Sequence, residues 1–491
     1  MNRKEAEDFV YKSYLKAQKY QEYSAKDSKK RRNDLTFDLI RKRSNTPCVV
    51  VTGSKGKGSV SNMISQILQT EFTVGLMTSP HIVDFCERFR VNGGKISDEE
   101  FVKQMLSIQE EIEAIDAVIP KDVCISPMGI QAYLALNYFE SQGTQFNIFE
   151  CGKGAKFDDV NNIKHDYAVI NSIFLEHTRE LGDTIEEIAM DKAHVITKGE
   201  NSVGKDVFGK SGEQKCVYVA EQIPSVLKVI QDRAEKFGVP LKIYGRDFWT
   251  ENICYTKAGM RFDVVIGEDV YSDISIPLLG EHQAKNCALA LAVCRDVLED
   301  FCVLKRKDVL GKSDLLEKNI LEESSFPDKK DKLESLNLVR KKKEIKNLNI
   351  SKMKKSLAKL TWPGRMEVIS EEPFMLLDAC INGASCENVI KVLKHLKIEE
   401  VTLIVGIPDD KDYAGVVRAM KDMASNIILT KSQNPHYVFT RRQQERLEQD
   451  RIKTQWVESV SEALQKAKEK DKPIVILGTT SVIAEIKKSC G

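Results

Sequence analysis

Residues 51–60, VTGSKGKGSV, stand directly behind the apolar run PCVVV and directly before SVSNMISQIL, whose Val60, Met63, Ile64, Ile67 and Leu68 share one helical face. A buried strand, a glycine-rich turn and a packed helix in that order admit few folds. They form the opening of a βαβ unit in a parallel sheet. The turn also has a chemical use, because the first N–H groups of a helix lack intrahelical partners and its dipole is positive there. Gly53, Gly56 and Gly58 let the backbone of the loop Gly53, Ser54, Lys55, Gly56, Lys57, Gly58 and Ser59 close on an anion. Lys57 can neutralise phosphate oxygens, and the Ser59 hydroxyl can ligate Mg²⁺. A glycine-rich β–α turn can be purely structural, but the strand–loop–helix context favours a phosphate.

The same alternation of β-rich runs and helical patterns continues to about residue 300, through FNIFECG and YAVINSI, and restarts after 361 with EPFMLLDA, VTLIVGI, NIILTKS and PIVILGT, where CENVIKVLKHL reads as a helix. At 491 residues the chain exceeds one ordinary core. We expect an α/β domain with a mostly parallel sheet and a phosphate-binding loop over 1–303 and a smaller Rossmann-like α/β domain over 350–491. Residues 304–349 hold thirteen Lys or Arg against nine Asp or Glu with one glycine and one proline, which marks a charged insertion or linker, helical in part around DLLEKNIL.

Overall charge excludes more than it suggests. The 74 Lys and Arg nearly cancel 73 Asp and Glu, so nothing argues for nucleic acid or an anionic membrane as partner, and no apolar run approaches the ~18 residues of a membrane span. Twelve cysteines contain no C-x-x-C pair and read as reduced residues. The N-terminus has charges at helical spacing and no apolar h-region, so a soluble, cytoplasmic, monomeric protein acting on small molecules is expected.

The loop is not the common G-x-x-x-x-G-K-[ST], since only two residues separate Gly53 from Gly56 and a glycine lies between Lys57 and Ser59. TGSKGKGS resembles the shorter phosphate loop of the Mur ligase superfamily, within it the folylpolyglutamate synthase and dihydrofolate synthase branch, and the resemblance continues along the chain. TSPHIVDFCERFRVNGG is similar to that branch's Ser-Pro-His to Arg-x-Asn-Gly segment, which implies that Ser79, Pro80, His81 and Arg88 lie near a pterin-bearing substrate. FNIFECGKGAKFDDVNNI resembles Glu-x-Gly-x-Gly-Gly-Arg-x-Asp-Ala-Thr-Asn: Glu150, Gly152, Gly154, Asp158 and Asn161 keep it, whereas Ala155, Lys156, Asp159 and Val160 depart. In YAVINSIFLEHTRELGDTIEEIAMDKAHVITKG a strand ends just before His177, and a helix places Ile185, Ile188, Ala189, Lys192 and Ile196 on one apolar face. A lysine on such a face is unusual unless it is paired or snorkels to solvent.

For the last two segments the resemblance implies a metal set of Ser59, Glu150, His177 and Lys192, the lysine carbamylated by CO₂. LLGEHQAKNCALALAV resembles Gly-x-His-Gln-x-x-Asn, implying that Gln283 and Asn286 hold the nucleotide together with Asp378; TWPGR resembles the segment before the second domain, implying that Arg365 contacts ATP phosphates. LLDACINGAS keeps Asp378 and Asn382 of Asp-x-Ala-His-Asn-Pro but has Ile381 for the histidine and Gly383 for the proline; PDDKDY keeps Asp-Lys-Asp.

The activity implied is an amide ligase that uses ATP and two Mg²⁺ to make an acyl phosphate of a folate-type acid, which glutamate then attacks. Lys57, His177, Lys192 and Arg365 are the implied catalytic residues. Two other readings stay open: the same chemistry on a different acid and amino acid, motivated by Ile381 and the altered 155–160 loop, and a nucleotide-binding paralogue that no longer ligates.

Overall fold

A computed structural model describes residues 1–20, 32–198, 214–321 and 349–490, with the backbone alone over 302–321. Two compact units are present, the first formed by Met1–Met77, Phe89–Phe248 and Leu289–Ser356, the second by Thr78–Arg88, Trp249–Ala288 and Leu357–Gly491.

In the first unit β1 (Cys48–Thr52), β2 (Val74–Met77), β3 (Phe89–Val91), β4 (Gly94–Lys95), β5 (Phe146–Glu150), β6 (Tyr167–Ile170), β7 (Cys216–Val219) and β8 (Leu241–Ile243) form one sheet in the order β4-β3-β2-β5-β1-β6-β7-β8. It is parallel except where β3 pairs with β2 and β4. Val49, Val50 and Val51 have no exposed surface, as a parallel strand covered on both faces requires. The runs expected as strands at PCVVVTG, FNIFECG and YAVINSI are β1, β5 and β6. Val51 faces Glu150 on one side and Val169 on the other, so the carboxyl ends of three strands meet where ligands bind in such sheets.

The helix Lys57–Leu68 follows β1 as expected, although it is covered on more than its apolar face: Ser59, Ser61, Asn62 and Ser65 are buried beside the five apolar residues. Two local expectations need correction. Strand β6 stops at Ile170, not just before His177, because its ladder ends with Asn171 N–H on Thr52 O, after which the chain turns onto the glycine-rich loop with Ser54 N–H on Ser172 O. The lysine-bearing helix spans Ile185–Lys192 and tightens into a 3₁₀ turn at Ala193–Val195, so Ile196 is buried from beyond the helix and Ile185 is only half-buried.

The second unit holds β9 (Phe248–Thr256), β10 (Gly259–Ile266) and β11 (Asp269–Ile276) in a sheet ordered β11-β10-β9, with β10 and β11 antiparallel. Its larger sheet contains β12 (Glu367–Glu371), β13 (Phe374–Asp378), β14 (Val401–Gly406), β15 (Ala424–Thr430), β16 (Gln455–Val457) and β17 (Ile474–Gly478), ordered β12-β13-β17-β14-β15-β16 and parallel except for β12. Leu377, Ile404, Ile428 and Ile476 supply its core with Val482 and Ile483 from the last helix. The four runs read as strands after 361 are β13, β14, β15 and β17, and CENVIKVLKHL lies in the helix Gly383–His395. Residues 314–321 end the long helix Glu281–Leu321; most of the charged segment, 322–348, lies outside the described residues. Among the described residues no cysteine is paired and no helix is long and apolar enough to cross a membrane.

The start of the lysine-bearing helix is fixed locally. Thr184 Oγ1 accepts Glu187 N–H at 3.2 Å while the Glu187 carboxylate accepts Thr184 N–H at 3.3 Å, a reciprocal cap. Thr184→Ala is expected to destabilise the protein by about 1 kcal/mol, read as a lower midpoint in urea unfolding; an unchanged midpoint would show that packing alone holds the helix.

Candidate active site

The glycine-rich loop after β1 is shaped by two backbone conformations. Gly53 has φ +138°, and a Cβ there would stand 2.8 Å from Asn171 Cβ; Gly56, at φ +74°, precedes the helix and offers it no side-chain cap. The helix start is therefore open to an external acceptor. Lys57 is half-buried, and its Nζ donates to Gly53 O at 2.9 Å. Ser59 is buried, and Lys55 is exposed. Ser54 ties the loop to the segment after β6: its N–H goes to Ser172 O, and its hydroxyl accepts Phe174 N–H at 3.0 Å and donates to Phe174 O at 3.3 Å.

Lys192 has no exposed surface. Its Nζ also donates to Gly53 O, at 3.0 Å, and further to Lys153 O at 2.9 Å and Glu176 Oε1 at 3.5 Å. Two lysines thus meet on one carbonyl. Burial, and then the charge of Lys57, bring the Lys192 pKa down to about 8, while Glu176 pulls it the other way. Next to it in sequence, Asp191 Oδ1 accepts Ala155 N–H at 2.9 Å and Lys156 N–H at 3.4 Å; a Cβ on Gly154 would stand 2.2 Å from that oxygen. The helix end therefore holds the 153–156 loop through two successive side chains.

Glu150 is buried at the end of β5. Burial pushes the neighbouring Cys151 thiol well up, with the charges of Asp158 and Glu150 adding to that and those of Lys57 and Lys192 opposing it. His177 follows Glu176, is exposed, and has φ +51° at the start of the short helix Thr178–Leu181. Sequence reasoning missed Glu176, Lys153 and Asp191; the acids immediately before His177 and Lys192 were the available signal.

The remaining expected residues lie in the second unit. Gln283 Nε2 donates to Arg365 O at 3.4 Å, and Asn286 Nδ2 to Gln283 Oε1 at 3.1 Å. Asp378 Oδ2 accepts Met366 N–H at 2.8 Å and Gly364 O accepts Ala379 N–H at 2.9 Å, which ties β13 to the segment carrying Arg365. Ser79 and Pro80 precede His81, whose Nδ1 accepts Arg88 Nε–H at 3.0 Å, with the guanidinium 4.9 Å from the Phe85 ring centre.

The Mur ligase middle domain matches residues 51–294, and the Mur ligase glutamate ligase domain matches residues 364–479. The chain belongs to the Mur ligase superfamily. It is similar to the folylpolyglutamate synthase of Lacticaseibacillus casei, at 25% identity over 440 residues covering 89% of each chain, and to the dihydrofolate synthase/folylpolyglutamate synthase of Bacillus subtilis (strain 168), at 29% identity over 380 residues covering 77% of this chain and 74% of the relative. The fold is that of the apo form of L. casei folylpolyglutamate synthase, with TM-score 0.75 and 22% identity over 100% of this chain and 99% of the other. The Mycobacterium tuberculosis folylpolyglutamate synthase complexed with ADP is equally similar, with TM-score 0.74 and 21% identity over 99% of both chains.

Asp159, one of the departures from the Mur ligase pattern, is buried and accepts hydrogen bonds from the hydroxyls of Ser126 and Thr36. Burial, with the charge of Asp158 adding to it, pushes its pKa up to about 7 against the pull of the two hydroxyls. Between the ordinary carboxylate range and pH 7 the folded state therefore binds a proton that the unfolded chain has released, and stability falls as pH rises through that window. Asp159→Asn is expected to raise the melting temperature relative to the parent at pH 8 and to change it little near pH 4, a differential on the order of a few kcal/mol. Parallel melting curves at both pH values would contradict this.

Proposed function

We propose that the chain is an ATP-dependent ligase that joins glutamate to a folate-type carboxylate through an acyl phosphate. The observation that carries this reading is the open helix start with Lys57 and buried Lys192 both on Gly53 O, in a chain whose two matched domains are those of a Mur ligase. A carboxylate and an amine do not condense in water without activation. Attack of the acid on the terminal phosphorus of ATP gives the acyl phosphate and ADP; the neutral amine of glutamate then attacks the acyl carbon, and phosphate leaves with its bonding pair.

The helix N–H groups and Lys57 receive the phosphates, Lys57 moving from Gly53 O to an oxygen of the transferred group, and Arg365 adds positive charge to it. Gln283, Asn286 and Asp378 hold the nucleotide, and Ser79, Pro80, His81 and Arg88 face the acceptor acid. Mg²⁺ suits the hard oxygens of Ser59 and Glu150, with His177 as a further ligand, and when bound it screens the phosphate charge and orients the reacting oxygens. Lys192 as an ammonium has no lone pair to offer a metal, so its place in the set requires the carbamate. That change replaces three donor hydrogens by one, which Gly53 O tolerates because Lys57 also donates to it.

A second reading, the same chemistry on another acid and amino acid, is favoured by Ile381 in place of the family histidine. Gly383 in place of proline has a structural account: its N–H donates to Asp412 Oδ2 at 2.9 Å, a bond that proline cannot make.

Phosphate release from ATP with Mg²⁺, glutamate and a panel of reduced folates and other carboxylic acids tests both. A reduced folate is expected to stimulate most; stimulation only by a different acid would replace the first reading with the second. Lys57→Ala and Ser59→Ala should each lower turnover by on the order of a hundredfold or more, and near-normal turnover in either would contradict the loop assignment. Lys192→Ala should remove ligation and, because Lys192 also holds Gly53 O of the loop, weaken nucleotide binding as well, with short-chain carboxylic acids restoring part of the activity; an active Lys192→Ala enzyme would refute the carbamate.

A further inference from the structure

After β6 the backbone is held firmly while two apolar side chains stay uncovered. Ser54 N–H donates to Ser172 O, and the Ser54 hydroxyl bonds to both the N–H and the carbonyl oxygen of Phe174, at 3.0 and 3.3 Å. On the other side Ile173 N–H goes to Gln222 Oε1 at 3.0 Å, Gln222 Nε2 donates to Asn171 O at 3.0 Å, and the Ile173 side chain is buried. Phe174 and Leu175 follow, 51% and 61% exposed, directly before Glu176, which accepts from buried Lys192. A single exposed apolar side chain is ordinary on a protein surface. Here two large ones stand in succession between the glycine-rich loop and the partner of the buried lysine, on a backbone ordered with no burial of these side chains in return.

We propose that Phe174 and Leu175 are specificity-determining residues for the acceptor acid, presenting an apolar face to an aromatic ring in its body. This rests on the ligase reading, in which Lys57 passes from Gly53 O to the transferred phosphoryl group and so places that group beside Gly53. Ser54 is the next residue, and its hydroxyl carries Phe174. The base of the nucleotide is separated from the transferred phosphorus by two further phosphates and a ribose. The acid begins at that phosphorus, because its carboxylate oxygen is the attacking atom and the rest of the molecule extends from there. Side chains tied to the loop beside the transferred group therefore meet the acid rather than the base. Since the backbone is already held, a ring laid on Phe174 and Leu175 buries apolar surface with little further loss of chain freedom. An aliphatic acid of the same charge gains much less, so the pair selects for an aromatic body.

The test compares the full-length protein with its Phe174→Ser, Leu175→Ala and Phe174→Tyr variants, and with Val118→Ala as a control at an exposed apolar residue on the helix Asp98–Val118. Equilibrium dialysis with Mg²⁺ and a non-hydrolysable ATP analogue measures binding of three acids: tetrahydrofolate, 4-aminobenzoylglutamate, which keeps the benzene ring without the pterin, and γ-glutamylglutamate, which has neither. Phe174→Ser is expected to weaken both aromatic acids by about tenfold, and Leu175→Ala by a smaller factor, while Phe174→Tyr and Val118→Ala bind as the parent does. The ATP analogue and γ-glutamylglutamate should be indifferent to all four substitutions, and in turnover the loss should appear in KM for the acid with kcat nearly unchanged. Unchanged affinity of Phe174→Ser for the aromatic acids, an equal loss for the ATP analogue or for γ-glutamylglutamate, or no binding of either aromatic acid by the parent would overturn the proposal. Aromatic-acid binding that depends on Phe174, without any release of phosphate from ATP, would support the ring site and contradict the ligase reading instead.

Discussion

The carbonyl oxygen of Gly53 accepts hydrogen bonds from two lysines, and the arrangement of the site depends on it. For that oxygen to face both ammonium groups the residue adopts φ +138° against Asn171, a conformation and a clearance that only glycine allows. Lys192 arrives on a helix whose start is fixed by Thr184 and Glu187, Lys57 from the first turn of the helix after the loop. A buried ammonium without acceptors costs several kcal/mol; Gly53 O, Lys153 O and Glu176 together make its burial possible. The lysine is a structural clasp between three loops as well as a candidate for chemistry.

The same clasp explains why the loop after β5 tolerates changes. Asp191 holds Ala155 and Lys156 by their backbone N–H groups, and Asp158 holds Gly152 and Val160 in the same way, so the loop's path is set through backbone N–H groups rather than through the side chains at 155, 156 and 160. Asp159 is another matter. It brings a carboxyl into a dry place and binds it to hydroxyls from two other segments, exchanging pH-dependent stability for a fixed junction with Ser126 and Thr36.

Much of this was legible in the sequence because the relevant signals are local. Val49–Val51 read as a strand buried on both faces, the glycines after it as a tight turn, and Lys192 beside Ile188 and Ala189 as a lysine that needs a partner or a path to solvent. What stayed hidden is non-local. Nothing in residues 249–276 distinguishes an antiparallel sheet from further βαβ units by period alone, and no spacing could show that Lys57 and Lys192 share an acceptor 139 residues before the second of them. Ser54 N–H and its hydroxyl bond to Ser172 and Phe174, which are remote in sequence.

The most direct test of the account is a crystal structure with a non-hydrolysable ATP analogue and Mg²⁺. The account predicts the terminal phosphates over the N–H groups at the start of the helix Lys57–Leu68, with Lys57 Nζ moved from Gly53 O to a phosphate oxygen and the Lys192 side chain still buried beside that carbonyl. Phosphates bound elsewhere, or Lys57 still on Gly53 O with nucleotide present, would contradict it.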